Sequence, residues 1–159
     1  MADSDYVQML KESLEKKVAI LHEIQRLNAE QGHILTDPNA DPDDFSANIE
    51  AKGALVDQIT ELDNGFEIVF EKVSEELQNN RQAYRDDILR MKELITEITD
   101  LTAEVEREEQ QNKSLAEKKF ADIRSKVQKV RKSQKAVTNY YHTMMKTRYE
   151  DPQFMDKKK

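Results

Sequence analysis

Cysteine is absent from this chain, which excludes disulfides, cysteine zinc sites and thiol nucleophiles. Tryptophan is absent too, and glycine and proline number three each, leaving few places for the backbone to turn. No apolar run approaches the length of a membrane span, so no stable membrane insertion is expected. The start, MADSDYVQMLKESLEKK, has no basic region followed by an apolar core and does not read as a signal peptide. The expectation is a chain that stays where it is made, in the cytoplasm.

What remains is charge and period. Of 159 residues, 36% are charged, and the mean hydropathy is -0.87. That is too polar for a compact α/β enzyme of this size. The 37% of hydrophobic residues recur periodically, which argues against disorder. Long helices with short connections fit this balance. The expected fold is all-α: an antiparallel three-helix bundle or coiled coil, with a long third helix extending beyond the bundle.

Ser4 or Asp3 can cap a first helix with the stripe Val7, Leu10, Leu14, Val18, Leu21, Ile24 and Leu27, fading after Ile34 and Leu35. TDPNADPDDF is the clear loop. Asp37, Asn39 and Asp41 have calcium-loop spacing, but Pro42 stands where the turn needs glycine and Asn48 where a bidentate glutamate is needed. Capping is the expected role of these aspartates.

A second helix is expected from about Asp44 to Gln78, with the stripe Phe45, Ile49, Val56, Ile59, Phe66, Phe70, Val73 and Leu77. Lys17 and Asp63 fall on the two stripes, and antiparallel folding brings them level. Either they pair and fix register, or each snorkels to solvent. Gly53 and Gly65 sit inside this helix, each costing about 1 kcal/mol relative to alanine. They mark either close helix approach or local weakness. QNNRQ then predicts a turn at Asn79 and Asn80, since asparagine tolerates the left-handed conformation and favours helix ends.

From Arg81 to about Tyr149 there is neither glycine nor proline. One helix here would be on the order of 100 Å long. Its seam is clear from Tyr84 to Val105, lost through the polar run EREEQQNKS, and regular again at Phe120, Ile123, Val127, Val130, Gln134, Val137, Tyr141 and Met144. The second seam is displaced by a four-residue stutter. The first part matches the second helix in length; the second has no expected partner within the chain.

No constellation supports catalysis. P-loop, GxGxxG, GxSxG and HExxH motifs are missing. Glu30 and His33 give a single Glu-x-x-His, where a di-iron bundle needs two. No cofactor, no metal and no enzyme activity are expected.

Charge is unevenly spread within the net of -7. Residues 117–159 carry 13 Lys and Arg against 5 Asp and Glu, while residues 1–116 carry 12 against 27. The basic end admits four readings: a solvated coiled-coil face, anionic lipid, nucleic acid, or another protein's helix. Lipid is disfavoured by a valine-rich stripe without tryptophan. Nucleic acid is disfavoured because phosphate binding needs no apolar seam. Protein binding is favoured because Phe120, Tyr140, Tyr141, Tyr149 and Phe154, with Met144, Met145 and Met155, concentrate aromatics and methionines there.

FSANIEAKGALVDQITELDNGFEIVFEKVSEEL, ITDL, EREEQQNKSLAEKKF, KAVTNYYHTM and the end PQFMDKKK resemble flagellar secretion chaperones of the FlgN type. IEAKG at Ile49 to Gly53, LDNGF at Leu62 to Phe66 and NYYHTM at Asn139 to Met144 carry the likeness best; the FliT-type filament-cap chaperones end similarly and stand as the alternative. The resemblance implies a cytosolic, non-enzymatic chaperone of flagellar type III export. It would bind the C-terminal helical region of hook-associated subunits, prevent premature assembly and deliver them to the export apparatus. Mapped onto this chain, the partner-binding residues are Phe120, Ile123, Val127, Val130, Val137, Tyr140, Tyr141 and Met144. A homodimer through this helix, displaced by substrate, is compatible with the seam. The rival from another class is a structural coiled coil that only makes a permanent oligomer. The expected organisation is an acidic bundle body over 1–115, a basic amphipathic helix over 116–149 and a flexible tail over 150–159.

Overall fold

Each helix boundary has a local cause. In the computed structural model, which describes residues 2–148 and side chains through Met145, α1 spans Asp3–Thr36, α2 Pro42–Asn79 and α3 Arg85–Arg148. The expected tail over 150–159 lies outside the described residues. Asp3 and Asp5 place negative charge in the first turn of α1, and an Asp5 carboxylate oxygen accepts from the Ala2 N–H at 3.3 Å. Asp37 closes α1 by donating its N–H to the His33 carbonyl at 3.1 Å. The aspartates of the loop serve as turn and cap acceptors: Asp37 Oδ1 takes the Asn39 N–H at 2.8 Å, and Asp41 Oδ1 takes the Asp43 N–H at 2.9 Å. Pro42 then enters α2 at its first position, where no amide hydrogen is needed.

α2 runs through Asn79, the first residue of the expected turn, and the turn itself spans 80–84, without a left-handed residue. Asn80 has φ -122°, and no described residue has positive φ. It ends α2 by hydrogen bonding instead: its N–H donates to the Glu76 carbonyl at 2.9 Å and its side-chain amide to Glu76 Oε1 at 2.6 Å.

The architecture is an all-α three-helix bundle. Its helices measure 34, 38 and 64 residues. Contacts divide the chain into two units, 1–116 and 117–159. Cross-helix pairs set direction. Lys17 meets Asp63 at 2.8 Å and Gln31 meets Asn48, so α2 runs antiparallel to α1. Lys11 meets Asp87 at 2.8 Å and Gln25 meets Glu104, so α3 runs parallel to α1. The Lys17–Asp63 pair is therefore formed, at the half-covered edge of the seam.

The core is apolar at one end and polar at the other. Near the Asn80 turn, Val7, Leu10, Leu14, Val73, Leu77, Met91 and Leu94 form one cluster, flanked by Phe66, Val69 and Ile98. Toward the Asp37 loop, Leu21, Ile24, Leu27 and Leu35 are buried together with Asn28, Gln31, Asn48 and Asn112. Asn48 accepts from Gln31 at 3.0 Å and donates to the Leu27 carbonyl at 2.9 Å. Asn112 donates to the Asn28 carbonyl at 2.9 Å, and Asn28 donates to Glu108 at 3.0 Å. Lys52 pairs with Glu109. Asn28 Oδ1 is buried without a partner. The run EREEQQNKS is polar on every side, yet its Asn112 face is buried against α1.

The expected stripe of α2 is out of phase in its first half. Ile49 and Val56 are exposed, while Asn48 is buried and Lys52, Leu55 and Leu62 are half-buried. The seam follows position, in steps of three and four, through polar residues as readily as apolar ones. Neither Gly53 nor Gly65 marks close approach within the chain: a Cβ at either would meet nothing within 4 Å. Close approach occurs at Gly32, whose Cβ would lie 3.4 Å from Asn112 Oδ1.

Candidate partner-binding face

The second unit follows from its sequence alone. Residues 117–148 contain no helix breaker, and every described one of them is α-helical. Successive residues turn by about 100° around a helix. Phe120, Ile123, Val127, Val130, Val137, Tyr141 and Met144 therefore share one stripe, and Tyr140 lies at its edge. All eight are exposed, from 40% at Met144 to 63% at Tyr140. The Tyr140 and Tyr141 rings meet edge to face, with centroids 5.9 Å apart. Lys118, Arg124, Lys126, Lys129, Arg131, Lys132 and Lys135 are exposed on the rest of the surface.

This arrangement offers an apolar stripe bordered by positive charge. It can take a second apolar stripe against it, and the cations favour an acidic partner. It offers no reacting group. Among the described residues no group of three or more His, Asp or Glu side chains is placed to hold a metal ion, and no helix is long and apolar enough to cross a membrane. Glu30 of the Glu-x-x-His pair is engaged with Arg26 at 3.5 Å. Elsewhere on α1, the Arg26 guanidinium hydrogen-bonded to Glu23 holds that carboxyl below its ordinary range, against a smaller opposing effect of burial.

A family model described as FlgN protein matches residues 1–146. The chain belongs to the FlgN family. FlgN proteins are flagellar chaperones, not enzymes, and general flagellar chaperone function follows for this chain. No curated protein and no solved structure gives a significant match. The FlgN match runs across both units, so the bundle and the whole exposed stripe, which ends at Met144, belong to one family pattern.

Reasoning from apolar period alone missed the polar layer. A signal was available. Positions 7, 10, 14, 17, 21, 24, 28, 31 and 35 form an unbroken series of threes and fours, in which Lys17, Asn28 and Gln31 stand among leucines. Asn48 and Lys52 on α2, and Glu108 and Asn112 on α3, continue the corresponding series.

Proposed function

We propose that this FlgN-family protein is a cytoplasmic export chaperone for hook-associated subunits at the hook–filament junction. It holds the subunit's C-terminal helical region on Phe120, Ile123, Val127, Val130, Val137, Tyr140, Tyr141 and Met144. Covering that region prevents premature assembly until delivery to the flagellar type III export apparatus. The observation that carries the reading is the exposed apolar stripe bordered by lysines and arginines. Such a stripe suits helix-on-helix recognition of an unassembled subunit, and its cations steer an acidic partner.

Titration calorimetry against each hook-associated subunit tests it. Ile123→Asp is expected to weaken binding at least about tenfold, or about 1.4 kcal/mol, without changing helicity. Truncation after Leu115 should leave a folded bundle that no longer binds. Global unfolding of that truncation would make the last segment core rather than interface. Preference for the filament-cap subunit would move the assignment to a FliT-type role. An unchanging oligomer that ignores every flagellar subunit would leave only a structural coiled coil.

A further inference from the structure

From Phe120 to Met144 the exposed stripe of the second unit advances by three and four in strict alternation, a repeat of seven residues. A seven-residue repeat sustained in this way favours a left-handed supercoil, which another helix can follow along its whole length. The stripe therefore presents the two core positions of a heptad. Phe120, Val127, Gln134 and Tyr141 occupy the first, and the residues three further along occupy the second.

The residues that flank such a core decide which helix can lie against it, because they meet the flanks of the partner. Here the flanks change character half-way. Beside the first two heptads they are Lys119, Arg124, Lys126 and Arg131, all cationic. Beside the last two they are Ser133, Thr138, Tyr140 and Met145, none charged. The outward face does not change with them: Lys129, Lys132 and Lys135 are exposed and keep it basic on both sides of the division. Cations placed for solubility alone would have no reason to leave the flanks where they persist on the outside.

Gln134 stands at that division. It is the polar member of an otherwise apolar core series, and it is exposed in the free chain. Under a partner helix its amide would be covered, and a covered amide without a hydrogen-bond partner is costly. The body shows how this chain meets that need: Gln31 donates to Asn48 at 3.0 Å and Asn112 to the Asn28 carbonyl at 2.9 Å.

We propose that the stripe takes an amphipathic helix of another protein that carries acidic flanks over the two heptads against residues 119–131, uncharged flanks over the two against 133–145, and a hydrogen-bonding side chain level with Gln134. Glutamates in the first half meet Arg124, Lys126 and Arg131; moved to the second they would meet no cation at the flanks. Gln134 is thus a specificity-determining residue, which fixes the alignment and disfavours a helix that offers leucine at its level. The pairing so defined rests on the stripe being the subunit-binding face, and it names the kind of subunit helix that the face accepts.

Fluorescence anisotropy of labelled four-heptad peptides against the full chain tests this. Two peptides of equal composition have apolar cores and carry glutamate at the flanks of either their amino-terminal or their carboxy-terminal half. Whichever way the helix runs, only one of them sets glutamate against Lys126 and Arg131, so one should bind at least about tenfold more tightly than the other. Reversing both cations, Lys126→Glu with Arg131→Glu, should abolish that preference. Equal binding of the two peptides to the unaltered chain would mean a surface that reads net charge alone, and overturns the proposal. Asparagine is then placed in the preferred peptide level with Gln134. It should cost the Gln134→Leu variant at least about tenfold more affinity than it costs the unaltered chain. The same cost for both overturns the role of Gln134, and circular dichroism checks that the variants remain helical. Hook-associated subunits run alongside separate the two claims. A subunit whose affinity ignores both Gln134→Leu and the paired reversal overturns this pairing and leaves the chaperone reading standing. Peptides that sort as expected while no subunit binds support the pairing and remove that reading.

Discussion

Leu94 and Val127 stand in seams of the same kind on the same helix, yet Leu94 is 1% exposed and Val127 43%. Both belong to series of threes and fours without a helix breaker. What separates them is cover. Leu94 is buried in a cluster with Leu10, Leu14 and Val73; the stripe around Val127 faces solvent and is bordered by lysines and arginines. Period therefore specifies a face and not what lies against it. In the first unit the face holds the fold together, and in the second it is left exposed.

The largest test of that contrast is truncation of matched leucine and valine positions. Leu94→Ala is expected to lose about 2–5 kcal/mol of unfolding free energy in urea titration, through lost burial and the cavity left behind. Val127→Ala should change it by less than about 0.5 kcal/mol. Comparable losses at both sites would mean that the second seam is covered in the free chain.

A smaller effect probes the polar end of the body. Asn48→Ala should cost about 1–3 kcal/mol, because Gln31 would keep a buried amide donor without its acceptor. Gly53→Ala should move the other way, stabilising by about 0.5–1 kcal/mol in thermal melts, since its Cβ enters open space. A double-mutant cycle on Lys17 and Asp63 should return only about 0.2–1 kcal/mol, because Asp63 is half-exposed. The smallest effect is alkaline. Burial raises the Tyr84 phenol above its ordinary range, and Glu76, Asp3 and Asp87 add to the shift. A raised folded-state value means that the unfolded chain binds fewer protons in that window, so stability falls as pH climbs past about 10. Tyr84→Phe should remove that part of the alkaline decline, read as a flatter melting temperature between neutral and strongly alkaline pH.

Much of the fold is legible in the residues. The cap at Asp41, the end of α2 at Asn79, the α1 stripe and the level of Lys17 with Asp63 are legible there. The start of α1 is not: its N-cap is Ala2, with no side-chain cap bond, so neither Ser4 nor Asp3 caps the helix. Nor is the first half of α2. Ile49 and Val56 attract attention as apolar residues at helical spacing, yet the covered positions are Asn48 and Lys52. Their burial is satisfied by partners on other helices, Gln31 and Glu109, which no single-segment pattern displays. The same holds for Asn112, whose cover comes from Asn28 and Gly32, some eighty residues away. At the candidate face, spacing brings the apolar residues onto one stripe. Its occupant is not legible from spacing, because two amphipathic helices meet with the same pattern whether they belong to one chain or two. The flagellar role came from whole segments such as NYYHTM, never from periodicity.

An uninterrupted series of threes and fours is a ruler whose marks repeat every seven residues. Two parallel helices built on it could slide by one mark and still oppose leucine to leucine. Asn112 makes one mark unlike the rest. A slide of seven residues would take Asn112 off Gly32, whose missing side chain makes room for its Oδ1, and would set the buried Asn28 amide against Leu101 or Leu115 in place of Glu108. Stranding a buried amide costs about 1–3 kcal/mol. The asparagine layer thus works as a detent: it adds little grip, but α3 can click into place beside α1 in one alignment only.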